Sequence, residues 1–291
     1  MEIIKFLQSF STDFLDKAFQ FITILGEGVL YVLVIAALYW CVNKSIGLRL
    51  AFIQIFSMFT NGVIKNIFKA SRPIGQDGIF SLRTETATGY SFPSGHSQGS
   101  TTFWAALMRL FKKVWIYILG SIIVLAVGIS RLYLGVHWPK DVVGGIIFGV
   151  LSVFIADKII GSALKNQDHR YLLILVLPAF LGLIFFQDED YIKTVAMAAG
   201  FYVGYLVESK LIAFHTKSSF SQQVIKILIG LLGALILKIS FKLMLPDNNI
   251  VAFIDYSLLA LWIMAGAPFA FVKLGLSSSS IKSINVLSKS L

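Results

Sequence analysis

Apolar residues in this 291-residue chain recur in blocks separated by short polar stretches. The blocks are about 20 residues long, the length that a helix needs to cross the hydrocarbon core of a bilayer. They predict membrane helices over 19–42, 46–68, 97–111, 114–133, 140–160, 171–186, 191–208, 222–244 and 251–272. No stretch between them is long enough for a soluble domain. The longest gap, 69–96, is polar and rich in Gly, Ser and Thr, which predicts a loop. Ahead of the first block, Ile3, Phe6, Leu7, Phe10, Phe14 and Leu15 fall at helical spacing, with Lys5, Asp13, Asp16 and Lys17 elsewhere. That pattern predicts a short amphipathic helix at the membrane interface, residues 1–18. The start lacks a basic region before an apolar core and a small-residue cleavage site, so it does not read as a cleavable signal peptide. The expected fold is an all-α polytopic membrane protein of about nine transmembrane helices. The core spans 19–162, additional membrane helices 163–276, and a tail 277–291 whose Ser277–Ser280 run reads as a frayed end.

Composition sharpens this. With 57% hydrophobic and 14% charged residues, the chain cannot cover itself with the polar surface of a soluble domain. The net charge of +10 would suggest nucleic acid in a soluble protein. Here the charges lie between apolar blocks, so membrane topology explains them and no nucleic-acid partner is expected. Nine spans place the N-terminus, the 69–96 loop and the 134–139 turn on one side. The other side holds most of the 25 Lys and Arg and only Asp157, Asp168 and Glu208 of the 15 acids. That side reads as cytoplasmic, and the loop-bearing side faces outward. The single cysteine, Cys41, excludes an internal disulfide and reads as a small buried hydrophobe.

Three polar segments carry the chemistry: Lys65 to Arg72-Pro73, Pro93-Ser94-Gly95-His96, and Ser130-Arg131 through His137 to Asp141. They lie at the end of span two, the start of span three, and the turn between spans four and five. Span parity therefore puts all three on one side. Gln54, Ser57, Asn61 and Lys65 recur at spacings of three and four, a polar stripe that should face the bundle interior. Lys65 and Arg72 share a helix face if the helix extends that far, although Pro73 disfavours it. Taken singly, Lys65 also reads as a snorkelling lysine, Ser94 as a helix cap, and His137 as an interfacial histidine. Taken together, three cations, two histidines, a carboxylate and a Gly-bearing helix start form an anion site. Asp141, four residues after His137, can bond one ring nitrogen and leave the other free to attack. Glu27, between Gly26 and Gly28 inside span one, should face the site cavity or a partner.

The pattern Lys-x6-Arg-Pro, Pro-Ser-Gly-His, Ser-Arg-x5-His-x3-Asp resembles the type 2 phosphatidic acid phosphatase superfamily, over about residues 20–160. Vanadium haloperoxidases, glucose-6-phosphatase and sphingosine-phosphate phosphatases share that group. The resemblance implies that His137 is the nucleophile, that Asp141 orients it, and that His96 is the acid and base. It implies that Lys65, Arg72, Ser94, Gly95 and Arg131 bind phosphate, with no metal and no cofactor. The implied partner is a membrane lipid phosphate. A polyprenyl (undecaprenyl) diphosphate in a bacterial plasma membrane fits an outward-facing site best. Phosphatidic acid, phosphatidylglycerol phosphate, sphingoid phosphates and a sugar phosphate also fit. A phosphotransferase, a haloperoxidase and a non-enzymatic transporter stand as rivals. Residues 163–276 shape either a lipid groove or a homodimer surface, and no residue among them chooses.

Overall fold

A computed structural model describes residues 1–166 and 168–281. It is built from helices: α1 Glu2–Gln8, α2 Asp13–Ile24, α3 Gly28–Ala37, α4 Lys44–Phe68, α5 Gly95–Phe111, α6 Val114–Tyr133, α7 Pro139–Asn166, α8 Leu173–Gly182, α9 Glu189–Val207, α10 Phe220–Met244, α11 Asn249–Leu261 and α12 Ala267–Lys273. π-helical turns follow α3, α9 and α11, at Leu38–Val42, Glu208–Ile212 and Trp262–Gly266. Helix dominates because a backbone in hydrocarbon must satisfy its own hydrogen bonds.

Six helices among the described residues are long and apolar enough to cross a membrane: Lys44–Phe68, Val114–Tyr133, Pro139–Asn166, Glu189–Ile212, Phe220–Met244 and Asn249–Lys273. A seventh arises if Asp13–Ile24 and Gly28–Val42, bent by 45°, count as one broken span. The expected nine are therefore not confirmed, for local reasons. Span one is interrupted at Gly26-Glu27-Gly28, where two glycines and a carboxylate weaken the helix. Residues 97–111 fold as α5, only 17 residues long, with a buried face of Ser97, Gln98, Ser100, Thr101 and Thr102. Residues 171–186 yield the ten-residue α8, which carries Pro178 inside it.

The chain forms two compact units, Met1–Leu33 with Phe52–Lys158, and Val34–Ala51 with Ile159–Leu291. In the first, the helix expected over 1–18 is two helices, because Thr12 caps a new start by accepting the Leu15 amide at 3.2 Å. Its apolar residues divide between two faces. Leu7 and Leu15 pack on the buried Tyr133, Leu134 and Val136, while Ile3, Phe6, Phe10 and Phe14 stay exposed. Gln8 clamps the long loop to the end of α6 by donating to the Phe80 and Tyr133 carbonyls, each at 2.8 Å. The α4 stripe turns inward. Ser57 meets Thr102 at 2.7 Å, and Asn61 donates to Gln98 Oε1 at 2.8 Å. Gly145 of α7 lets that helix close on the start of α5. A Cβ there would lie 2.8 Å from the Ser94 carbonyl and 3.0 Å from the Gln98 amide nitrogen.

In the second unit, aromatic side chains bond carbonyls at the π-turns and helices. Tyr39 Oη donates to the Met264 carbonyl at 3.0 Å, Trp40 Nε1 to Ile263 at 2.8 Å, and Trp262 Nε1 to Gly230 at 2.9 Å. The frayed end expected at Ser277–Ser280 is instead pinned. His215 N donates to the Ser278 carbonyl at 2.9 Å, Ser280 N to Ala213 at 3.1 Å, and Ser279 Oγ to Ile212 at 2.5 Å. Serine hydroxyls serve here as anchors for an extended strap. The tail beyond 281 lies outside the described residues. α10 turns much of its apolar surface outward, with Leu228, Leu232, Leu235 and Ile236 exposed, as a lipid-facing helix does.

Candidate active site

The turn between α6 and α7 carries His137, 2% exposed, next to Gly135 at φ +65°. Its Nε2 lies 3.0 Å from Arg72 Nη1. A guanidinium only donates, so Nε2 must be the acceptor and carry the lone pair. In the neutral ring the proton then sits on Nδ1, which faces Ser91 Oγ at 3.4 Å and Asp141 Oδ2 at 3.4 Å. Burial first, then Arg72, Arg131 and Lys65, hold the His137 pKa well below the usual 6.5. The ring is therefore neutral at pH 7, and its Nε2 lone pair accepts from a cation.

Asp141 sits in the first turn of α7 and is fully buried. Its Oδ2 accepts from Ser91 Oγ at 2.5 Å and from the Trp138 amide at 2.8 Å. The expected contact between Asp141 and His137 is thus shared with Ser91, whose hydroxyl lies between them. Nothing in the sequence singles out Ser91; it arrives because the loop backbone is held at both ends of 91–94. Ser91 N donates to the Ala70 carbonyl at 2.8 Å and Ser94 N to the Asp141 carbonyl at 2.9 Å.

Arg72 reaches the site by a different route from the shared helix face. α4 ends at Phe68, and Lys69 takes a left-handed conformation, φ 46°. The loop then aims Arg72 inward, where its guanidinium donates to the carbonyls of Thr88, Gly89, Tyr90 and Val136 at 2.5 to 3.2 Å. Lys65, on the last turn of α4, donates to Thr88 at 3.5 Å.

Arg131 is fully buried near the end of α6. Its Nη1 donates to Thr23 Oγ1 at 3.0 Å and Thr86 Oγ1 at 3.4 Å. Its Nε and Nη2 are buried with no protein acceptor, and so is His96 Nε2. Buried donors without partners are costly, and a fork of two guanidinium N–H groups matches two oxygens of a phosphate. Burial first, and then the positive charges of Arg131, Lys65 and Arg83, lower the pKa of His96 well below the usual 6.5. Ser94 is buried and caps α5, accepting from the Ser97 amide at 3.4 Å and the Ser97 hydroxyl at 3.1 Å. Gly95 begins that helix, and a Cβ there would meet only Asn61 Oδ1, at 3.7 Å. The structure thus gathers the eight expected residues in the first unit and adds Ser91, Thr23, Thr86 and the carbonyls of 88–90. Glu27 faces Arg83, 2.7 Å away.

Residues 46–163, which hold every one of the eight, match the PAP2 superfamily model. Residues 192–279 match that of the PAP2 superfamily phosphatase, transmembrane extension. An undecaprenyl-diphosphatase of Sulfolobus acidocaldarius is 32% identical over 40% of this chain and 56% of its own length. A probable sphingosine-1-phosphate phosphatase of Dictyostelium discoideum is 29% identical over 52% of this chain and 40% of its own. The chain spans about half the length of these curated relatives. A transmembrane PAP2-type phosphatidylglycerolphosphate phosphatase from Bacillus subtilis has been solved. It superposes with a TM-score of 0.47 at 28% identity, covering 54% of this chain and 82% of that one. With its motif-bearing segment matched by the family and its later helices by the family's own membrane extension, this chain belongs to the PAP2 superfamily.

Proposed function

We propose that this protein is an integral-membrane phosphatase that hydrolyses a lipid phosphate or diphosphate through a phosphohistidine. The observation that carries the reading is the neutral, buried His137, with its lone pair on Nε2 beside Arg72 and its Nδ1 facing Ser91 and Asp141.

In the first step, Nε2 of His137 attacks phosphorus and the bond from phosphorus to the leaving oxygen breaks. His96 delivers a proton to that oxygen. Asp141, through its contact with Nδ1, stabilises the charge that develops on the ring. In the second step, His96 takes a proton from water, whose oxygen attacks the phosphohistidine and frees His137 with inorganic phosphate. Arg131 offers Nε and Nη2, and Lys65, Arg72 and the start of α5 at Ser94 and Gly95 add positive potential. These cations offset the phosphate charge, so the scheme calls on no metal and no cofactor.

For the substrate, we favour a polyprenyl diphosphate, with the site on the outward side of a bacterial plasma membrane. An undecaprenyl-diphosphatase among the relatives supports that choice. Sphingosine-1-phosphate phosphatases match over a larger share of this chain and support a sphingoid phosphate as the second reading. Phosphate release by purified protein from undecaprenyl diphosphate, sphingosine 1-phosphate, phosphatidic acid, phosphatidylglycerol phosphate and glucose 6-phosphate separates them. Release from none of the five, in lipid or detergent, would sink the phosphatase reading. Orientation is tested by D77C in the exposed loop: labelling by an impermeant thiol reagent only from the cytoplasmic side overturns the outward-facing site.

A further inference from the structure

Between the break in the first apolar run and the long loop lies an ion pair that none of the three motifs includes. Arg83 Nη2 meets Glu27 Oε1 at 2.7 Å, its Nη1 donates to the Gln20 carbonyl at 3.0 Å, and its Nε lies 3.5 Å from Glu85 Oε1. Glu27 stands where the helix is interrupted by Gly26 and Gly28. A Cβ on Gly26 would lie 3.2 Å from His96 Cβ and 2.6 Å from Val127. The helix break that carries Glu27 therefore lies against His96.

The backbone of Arg83 is left-handed, φ 54° and ψ 44°, which a non-glycine residue keeps only when its surroundings hold it there. That conformation aims the Arg83 carbonyl at Thr86. The Thr86 hydroxyl donates to it at 3.0 Å and the Thr86 amide at 3.2 Å. The same hydroxyl accepts from Arg131 Nη1 at 3.4 Å, and Thr23, at the α2 side of the break, accepts from that nitrogen at 3.0 Å. A continuous chain of contacts thus runs from Glu27 through Arg83 and Thr86 to Arg131. It ends on the guanidinium nitrogen whose capture leaves Nε and Nη2 without a protein acceptor.

We propose that Glu27 and Arg83 are positioning residues: their ion pair straps the loop to the helix break, and Thr86 and Thr23 then fix the fork of Arg131 for the transferred phosphate. The proposal rests on Arg131 being a phosphate ligand, the reading given above. A fork rotated by about 1 Å loses bidentate contact where charge develops, a displacement that can cost on the order of a hundredfold in rate.

Three variants test it: E27Q, which removes the charge; R83G, which removes the guanidinium but accepts φ 54° readily; and R83K, which keeps the charge but cannot reach Glu27 and the Gln20 carbonyl together. The readouts are kcat and KM for lipid phosphate hydrolysis, and the Kd of orthovanadate, a phosphate-shaped anion, measured by calorimetry. All three variants are expected to lose about tenfold to a hundredfold in kcat, with KM within about threefold of the parent. Vanadate affinity should fall in parallel. Parental kcat and vanadate affinity in R83G would show that loop conformation alone matters and would overturn the proposal. Vanadate affinity equal to the parent's in all three would overturn it whether or not the parent hydrolyses lipid. Absent hydrolysis by the parent, with the vanadate effect intact, would overturn the phosphatase reading alone. Should E27Q or R83G not yield monodisperse protein, R83K decides by the same criteria.

Discussion

Each unit of this protein buries a cation completely, and the two are treated in opposite ways. Lys226, in the second unit, spends its ammonium on the chain: Nζ donates to the Trp40 carbonyl at 2.9 Å, the Thr216 carbonyl at 3.0 Å, Ser218 Oγ at 3.3 Å and Ser277 Oγ at 3.4 Å. Arg131, in the first unit, spends one nitrogen on two threonines and leaves Nε and Nη2 without a protein acceptor. Among the described residues, the buried side-chain nitrogens without a partner are these two and His96 Nε2, all in the first unit. Burial of charge does not by itself mark a site, since a lysine that bridges helix ends is architecture. Buried donors kept unused are different: their cost is tolerable where a ligand supplies the acceptors.

The largest effect expected from this contrast is at His137. H137A should lower phosphate release by a factor on the order of 10⁴ or more and abolish an acid-labile phosphoenzyme trapped by quenching. Its thermal unfolding should stay close to the parent's. A phosphoenzyme that survives H137A would move the nucleophile elsewhere and remove the reason for reading the first unit as the catalytic one.

The two cations give the next test. R131M should lose about 10² to 10³ in kcat while unfolding no earlier than the parent, because the nitrogens it removes were mostly unpaired. K226M should do the reverse. It leaves the Trp40 and Thr216 carbonyls short of a donor, at a cost of about 1 to 3 kcal/mol, with kcat per folded molecule unchanged. Thermal unfolding in detergent read beside kcat separates the outcomes. A K226M that is stable but inactive would show that Lys226 belongs to catalysis.

The same contrast separates what could be read in the sequence from what could not. The α4 stripe of Gln54, Ser57, Asn61 and Lys65 was legible because polar residues at helical spacing in an apolar run have only the interior to face. The three motifs were legible because span parity puts their helix ends on one side. Ser91, Thr86 and Arg83 were not legible. They lie in a loop whose path is set by contacts distant in sequence, such as Gln8 to Phe80 and Tyr133, and a loop has no period to read. The Ser277–Ser280 segment escaped for a related reason: two of its serines are buried, Ser277 against Lys226 and Ser279 against the Ile212 carbonyl. Nine apolar runs did not become nine long helices, because Gly26, Gly28 and Pro178 interrupt the helix within apolar sequence.

A smaller effect, in pH rather than rate, tests the electrostatics of the first unit. In the proposed mechanism only neutral His137 attacks, and its pKa is depressed by burial and then by Arg72, Arg131 and Lys65. A depressed value keeps the ring neutral to lower pH, so the acid limb of kcat/KM should fall below 6.5. Arg72 is the largest charged contributor, so R72Q should move that limb upward, toward 6.5, besides lowering the rate. A limb that stays in place in R72Q would mean that Arg72 does not help to set it.

The smallest effect concerns Ser91. Its hydroxyl is 2.5 Å from Asp141 Oδ2 and 3.4 Å from His137 Nδ1. S91A removes that hydroxyl but leaves the carboxylate 3.4 Å from Nδ1 and still bonded to the Trp138 amide at 2.8 Å. Two outcomes follow from two geometries. If Asp141 orients His137 directly, the pair closes by a few tenths of an ångström and kcat falls by less than about tenfold, because the carboxylate keeps its contact with Nδ1. If the hydroxyl is the link that passes the carboxylate's field to the ring, S91A should approach the loss seen in D141N. Measuring S91A, D141N and the double variant as a cycle assigns the coupling. The 3.4 Å contact predicts the first outcome, with S91T, which keeps the hydroxyl, nearer to the parent than S91A.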